Sequence, residues 1–590
     1  MIHATNAAVI GLPDAKPEAF DLPAKLALRG KRAAATGADL MPTGDDEIKM
    51  GQSFKGIVVL LLLSYCPGSN TWADGDGIRK LAEGLITKDR PLPPQKTDVR
   101  PLGVFDVNEG SKKGILKMLV ELQKTSQLSQ EEWSAAVRII EGDWLTSNNL
   151  RGARKDRTDD INGMERVEYP EELSALWHFA LNAMHMLMRL HLGHAIVDPG
   201  SLAKHKGLLN RNWDAEKPNY ADAKALIRHS LIARILYSAM LQNGIDRWAD
   251  LHKWEPTVED VEAFANNFVE KFAMPSSAEK AKAMNDDYLA HSVYFIRDAL
   301  IFCVFEHAVS HADAGPVLRV LKYWTFSFRG AGLHNYGREC AEVLLRWQYE
   351  LTSASREALE QSWFVNRWGR PERWIAADLY LEQLNYWVKR VFIAKGSAVT
   401  VEYIIEKGSA PVEFWRELSH AFARAFGYPD RARRSKEVDV GQDLRLLTEN
   451  LIHSRLHVPT ADRPIYANTS SKQGKKQASD DDTRPSAIVD AIDVGGELWN
   501  NGKFTEFIRA TTWDPAVGYP VGQVVVDAMG SESVEDADDV LMNGSVFDQT
   551  TVNPLAQDAF EDIDDGDDHT QRAPGMGGLG GGMDYTDTIT

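Results

Sequence analysis

Two carboxylates far apart in the chain are the side chains best placed to do chemistry. The first is Asp143, in "VRIIEGDWLTSNN" at residues 137–149. A β-branched run that ends in Gly-Asp reads as a strand delivering a carboxylate to a sheet edge. Asp143 could ligate a metal there or simply open the next turn, and both readings stand. The second is Glu382, in "AADLYLEQLNYWVKRVF" at residues 376–392. Asp378, Glu382, Asn385 and Lys389 recur at i, i+4, i+7 and i+11, one stripe of a helix whose other faces carry Leu381, Leu384, Trp387, Val388 and Val391. The wet face of an amphipathic helix accounts for such a stripe. Two carboxylates one turn apart nevertheless repel, unless they are solvated or a cation sits between them and a third carboxylate.

Histidines and arginines supply the other candidates. In "LSALWHFALNAMHMLMRLHLGH", His178 and His185 lie two turns apart on one helical face with Asn182 between them. A core helix with hydrogen-bonded imidazoles is the plain account. The functional account makes His178 an orienting or ligating group near Asp143, with Asn385 orienting from the late helix. Cationic clusters occur at Arg151, Arg154, Lys155 and Arg157, at Arg367, Arg370 and Arg373 beside Trp363, Trp368 and Trp374, and at Arg431, Arg433, Arg434 and Lys436. Arg interleaved with Trp can neutralise phosphates and stack on bases. A solvated basic face over packed tryptophans explains the same pattern.

These residues need a large scaffold, and 590 residues at 44% hydrophobic content provide one. Cys66, Cys303 and Cys340 are too scattered for a disulfide framework or a zinc finger. The apolar run at residues 57–63 falls far short of the ~20 residues that span a bilayer, and no basic-then-apolar leader opens the sequence. The expectation is an intracellular protein with no membrane partner, with the nucleus open to it. Of the net charge of −19, fourteen acidic residues lie between Asp527 and Asp568 with no Lys or Arg among them. The acidity is therefore mostly a tail, and it does not exclude DNA as a partner of the body.

The chain divides by texture into a partly irregular α/β segment at 1–110, a mainly helical body at 111–458, a polar linker at 459–483, a small segment at 484–526 holding the strand-like "GQVVVDA", and an acidic tail at 527–590 whose composition predicts disorder. Helical periodicity predicts helices over 112–127, 171–194, 221–242, 258–272 and 287–311. The fold class expected is mainly α with a small β component.

In order along the chain, "GDWLTSNNLRGARKDR", "LWHFALNAMHM", "HADAGPVLRVLKYWTFSFRGAGLHNYGREC", "FVNRWG" and "DLYLEQLNYWVKR" resemble a domain family of unknown function that is abundant in mushroom-forming fungi, over roughly residues 1–430. That family is in turn similar to transposases built on a ribonuclease-H-like core with a large helical insertion. The resemblance implies Mg²⁺ or Mn²⁺ held between Asp143 and Glu382, with Asp378 in reserve, because in-line attack on a phosphodiester needs both oxygens clamped. It also implies a strand bearing an Asp-Asn pair ahead of "HATNAAVIGLP", and that strand would precede Met1. The expectation is a transposase-derived protein, inactive as written, that binds DNA. An active metal-dependent polynucleotidyl transferase and a helical protein-interaction module are the alternatives.

Overall fold

A helix that is apolar on every side can be satisfied only inside the molecule, and Asp287–Ser310 is one: 94% of its most apolar window is buried. The computed structural model describes residues 5–215, 217–394, 400–427, 440–465, 488–514 and 518. Around the central helix pack Gly44–Tyr65, Leu176–His191, Tyr220–Gln242, Val258–Phe272 and Ala314–Gly330. The 57–63 run is the apolar end of Gly44–Tyr65, whose start is fixed by a capping box between Thr43 and Asp46. The segment 37–65 and Asp287–Ser310 are each long and apolar enough to cross a bilayer, a length that the short apolar run understates. Cys66, Cys303 and Cys340 are buried free thiols, and burial pushes the first two up to about 12.

One hydrophobic cluster runs through the boundaries that composition suggests. It joins Phe54 and Ile78 to Leu236, Phe302, Leu447, Trp499 and Phe507. Helix Ala491–Leu498 lies against Ala314–Gly330 so closely that a Cβ on Gly330 would sit 1.9 Å from the Ala491 carbonyl oxygen, and one on Gly495 would sit 2.0 Å from that of Phe326. Reciprocal glycines permit this approach. The strand expected at "GQVVVDA", the acidic tail, residues 466–483 of the linker and the 431–436 basic cluster lie outside the described residues.

The β component is three separate two-stranded ladders among the described residues. β1 (Thr5–Ile10) pairs antiparallel with β2 (Val99–Phe105), β3 (Arg138–Gly142) parallel with β4 (Pro170–Ser174), and β5 (Phe364–Val365) antiparallel with β6 (Ile375–Ala376). The parallel pair needs a crossover, supplied by helix Trp144–Asp156. The helix expected at 171–194 therefore starts later, at Leu176, because residues 170–174 are taken by the ladder with β3.

β4 is buried at every residue and carries Glu171 and Glu172, an arrangement tolerated only with counter-charges. Arg154 reaches back from the crossover helix to Glu172 at 2.6 Å and to the Pro170 carbonyl at 2.8 Å. Arg346 closes on Glu171, and Lys25 approaches it at 2.9 Å. Despite its burial, Glu172 is held down at about 2 by Arg154 and its neighbours. Breaking such a buried pair leaves a charge without compensation. Arg154→Met is expected to cost roughly 3–5 kcal/mol in a denaturant titration, and a loss below about 1 kcal/mol would mean that the pair behaves as a surface one.

Candidate functional site

The strand end at Gly142 does deliver Asp143, and part of its carboxylate opens the next turn. Asp143 is the N-cap of helix Trp144–Asp156: Oδ1 accepts from the Thr146 backbone N–H at 2.7 Å. Oδ2 has no hydrogen bond among the described residues.

The late helix, Ala377–Ala394, begins directly after β6, so the β5–β6 hairpin sets its entry. Trp363, next to β5, is fully buried. It stacks on Trp347 at 4.8 Å and donates from Nε1 to the Ser174 carbonyl at the end of β4. This placement corrects the wet-face reading of Asp378, which is 8% exposed and has both oxygens engaged. Oδ1 accepts from the Trp177 backbone N–H at 3.0 Å, and Oδ2 accepts from the His178 backbone N–H at 3.1 Å and meets His178 Nδ1 at 2.9 Å. Asp378 thus caps helix Leu176–His191 from another part of the chain, in place of Ala175, which has no capping side chain. It is not available as a reserve metal ligand.

Asp143 and Glu382, 239 positions apart, act on the same two groups: the charge of each is felt by Glu109 and by His178. Burial alone would strip the proton from His178. The hydrogen bond and charge of Asp378, then Asp143 and Glu382, reverse this and lift the imidazole to about 9. His185, expected on the same face, is partly buried, its Nε2 is enclosed without a hydrogen-bond partner among the described residues, and desolvation pushes it down to about 4. Asn385 accepts from Asn6 Nδ2 at 2.8 Å, which fastens the late helix to β1.

Two carboxyls at this centre were not legible in the sequence. Glu109 follows β2 in "FDVNEG", and helix Lys112–Ser126 starts hard against that turn, since a Cβ on Gly114 would lie 1.5 Å from the Asn108 carbonyl oxygen. Burial, then Asp143 and Glu382, raise Glu109 to about 7, with His178 opposing. Glu141, on β3, has both carboxyl oxygens buried without a partner, and burial and Asp378 push it well above the usual carboxylate range. A carboxylate-rich turn after a strand was the available signal for Glu109. Glu141 gave none.

The donor types suit a hard cation, but their gathering does not. Among the described residues no three His, Cys, Asp or Glu side chains converge as a metal-holding group. Asp378 is fully engaged, Asp143 half so, and the positive charges that face these carboxylates are the His178 imidazolium and, at Glu382, Lys389. As folded, these residues do not fit a two-metal site.

The expected cationic surface is also largely turned inward. Arg151 pairs with buried Glu339 at 2.5 Å, and Arg154 is buried against Glu172. Arg157 meets Asp160 at 3.0 Å, and Arg367 lies over the Trp368 ring at 4.7 Å and pairs with Glu413. Burial leaves Lys155 lowered, and Arg370 and Arg373 are both engaged as well.

The profile of a family of unknown function, DUF6589, matches residues 29–435, which include every carboxylate of the centre. Comparison with curated proteins and with solved structures finds no match.

Glu109 gives the centre a measurable signature. Its folded value lies above the unfolded one, so the stability tied to its proton is fully present below about 4.5 and is lost as pH rises through about 7. Glu109→Gln should therefore unfold at higher temperature than the parent at alkaline pH and match it in acid, the gap opening by at most about 1.4 kcal/mol per pH unit. Parallel pH profiles for the two proteins would show that Glu109 does not face the other carboxylates.

Proposed function

The chain belongs to that family of unknown function, and on this premise we propose that it is a transposase-derived fungal protein whose acidic centre has exchanged metal for an internal cation and is catalytically silent. The observation that carries this reading is the His178 imidazole held at 2.9 Å on the buried Asp378 carboxylate, where Asp378, Asp143 and Glu382 together favour its charged form. The β3–helix–β4 unit with Asp143 at its strand end, the late helix bearing Glu382 and the long helical stretch between them support descent from a degenerate ribonuclease-H-like core with a helical insertion. With Arg151 and Arg154 bound internally, DNA contact in this reading falls to part-exposed cations such as Lys155 and Arg157. Those can neutralise phosphates without reading base edges, so binding is sequence-tolerant and weakens steeply with salt.

The test is supercoiled DNA with Mg²⁺ or Mn²⁺ and the purified full chain. No nicking or strand transfer is expected. In His178→Gln the carboxylates lose this cation. Its stabilisation is fully present below the unfolded value of 6.5 and is lost as pH rises through about 9, so the variant should fall short of the parent near neutral pH and the deficit should close above about 9; either metal should partly restore it near neutral pH, while the parent gains nothing. Metal-dependent cleavage by the parent, abolished by Asp143→Ala and by Glu382→Ala, would overturn the silent reading and assign an active polynucleotidyl transferase.

A further inference from the structure

Beyond this centre, a cavity of about 60 Å³ lies where the starts of helices Leu176–His191 and Tyr220–Gln242 meet the end of helix Asp287–Ser310 and the β5–β6 hairpin. At ~10–15 Å³ for one water-sized group, it has room for about four to six of them, the size of a single aromatic ring. Its walls are largely apolar. Trp177, Ala180, Tyr220, Trp374, Ile375 and Leu379 line it, and each keeps 5–9% exposure. Glu372 and Arg373, both part-exposed, form its edge towards solvent.

The charges on the inner wall are balanced in place. Lys224 pairs with Glu306 and lies 5.6 Å from the centre of the Tyr220 ring. A charged guest would have to give up its hydration beside an ion pair that is already made, whereas a neutral apolar one gains by leaving water. Aromatic rings pair edge-to-face at 4.5–7 Å, and Trp177 and Tyr220 already stand so, 6.2 Å apart at 63°. The walls are also fixed without any guest. The Trp374 N–H donates to the Ser310 carbonyl at 3.3 Å, and the Trp177 N–H donates to Asp378 at 3.0 Å. At the edge, Glu372 has a φ of 59°, a left-handed conformation that residues other than glycine rarely adopt. Strain of this kind gathers at ligand sites.

We propose that this cavity binds a neutral molecule through a single aromatic ring, seated among Trp177, Tyr220 and Trp374. The probe is benzene, titrated into the full chain labelled with ¹⁵N-tryptophan. The indole signals of Trp177 and Trp374, identified with Trp177→Phe and Trp374→Phe, should shift together and saturably, and those of tryptophans outside the cavity should stay in place. Ala180→Leu fills the space and should weaken binding at least tenfold; if that variant does not fold, Val309→Phe, from a part-exposed wall position, serves the same purpose. Benzoate should bind at least tenfold more weakly than benzene. No saturable shift at Trp177 and Trp374, or full benzene affinity in the filled variant, would overturn the proposal. Benzoate bound as tightly as benzene would overturn the assignment of a neutral ligand.

Discussion

Asp378 is the point on which the arrangement turns. Its carboxylate receives two backbone N–H groups at the start of helix Leu176–His191 and the imidazole of His178. A helix whose first residue is preceded by Ala175 would otherwise begin in the interior with unsatisfied donors and an uncompensated positive end. One side chain solves both problems, and in doing so it fixes the late helix to the core across about two hundred residues of chain. The positions of Glu382 and Asn385 follow from that fixing, since they lie one and two turns further along the same helix.

The electrostatics follow from the same clamp. Four carboxyls, Glu109, Asp143, Asp378 and Glu382, share electrostatic contact with one imidazole, with Glu141 beyond Asp378, and they cannot all ionise there without a counter-charge. The molecule divides the load. Burial raises Glu141 well above the usual carboxylate range, Glu109 holds its proton to about 7, and His178 takes one on. The result is a centre balanced by protons, whereas two-metal phosphoryl chemistry needs oxygen ligands deprotonated and converging on the ions. Glu171 and Glu172 on β4 are balanced differently, by the side chains of Arg346, Lys25 and Arg154, in a lattice of buried ion pairs.

Local periodicity made much of this visible. The strand ending at Gly142 and the helix Val258–Phe272 match what spacing and residue type predict. The failures share one cause, which is that the partner lies far away in sequence. β1 finds β2 some ninety residues on, so the first hundred residues look irregular until the pairing is known. Asp378 reads as solvated because its two amide donors belong to another helix. Arg151 and Arg154 read as a basic surface because Glu339 and Glu172, which draw them inward, are not their neighbours in the chain. The carboxylate-rich turn at Glu109 carries no periodicity, and the charges that act on it, those of Asp143 and Glu382, lie far along the chain.

The central claim is that His178 is an imidazolium at neutral pH, and nitrogen NMR on ¹⁵N-histidine-labelled protein tests it most directly, with His178→Gln to identify the signal. The account predicts that both ring nitrogens of His178 carry protons at pH 7.5 and lose one only as pH passes through about 9. A neutral His178 at pH 7.5, with one ring nitrogen already deprotonated, would contradict it and leave the carboxylates at the centre in need of another cation.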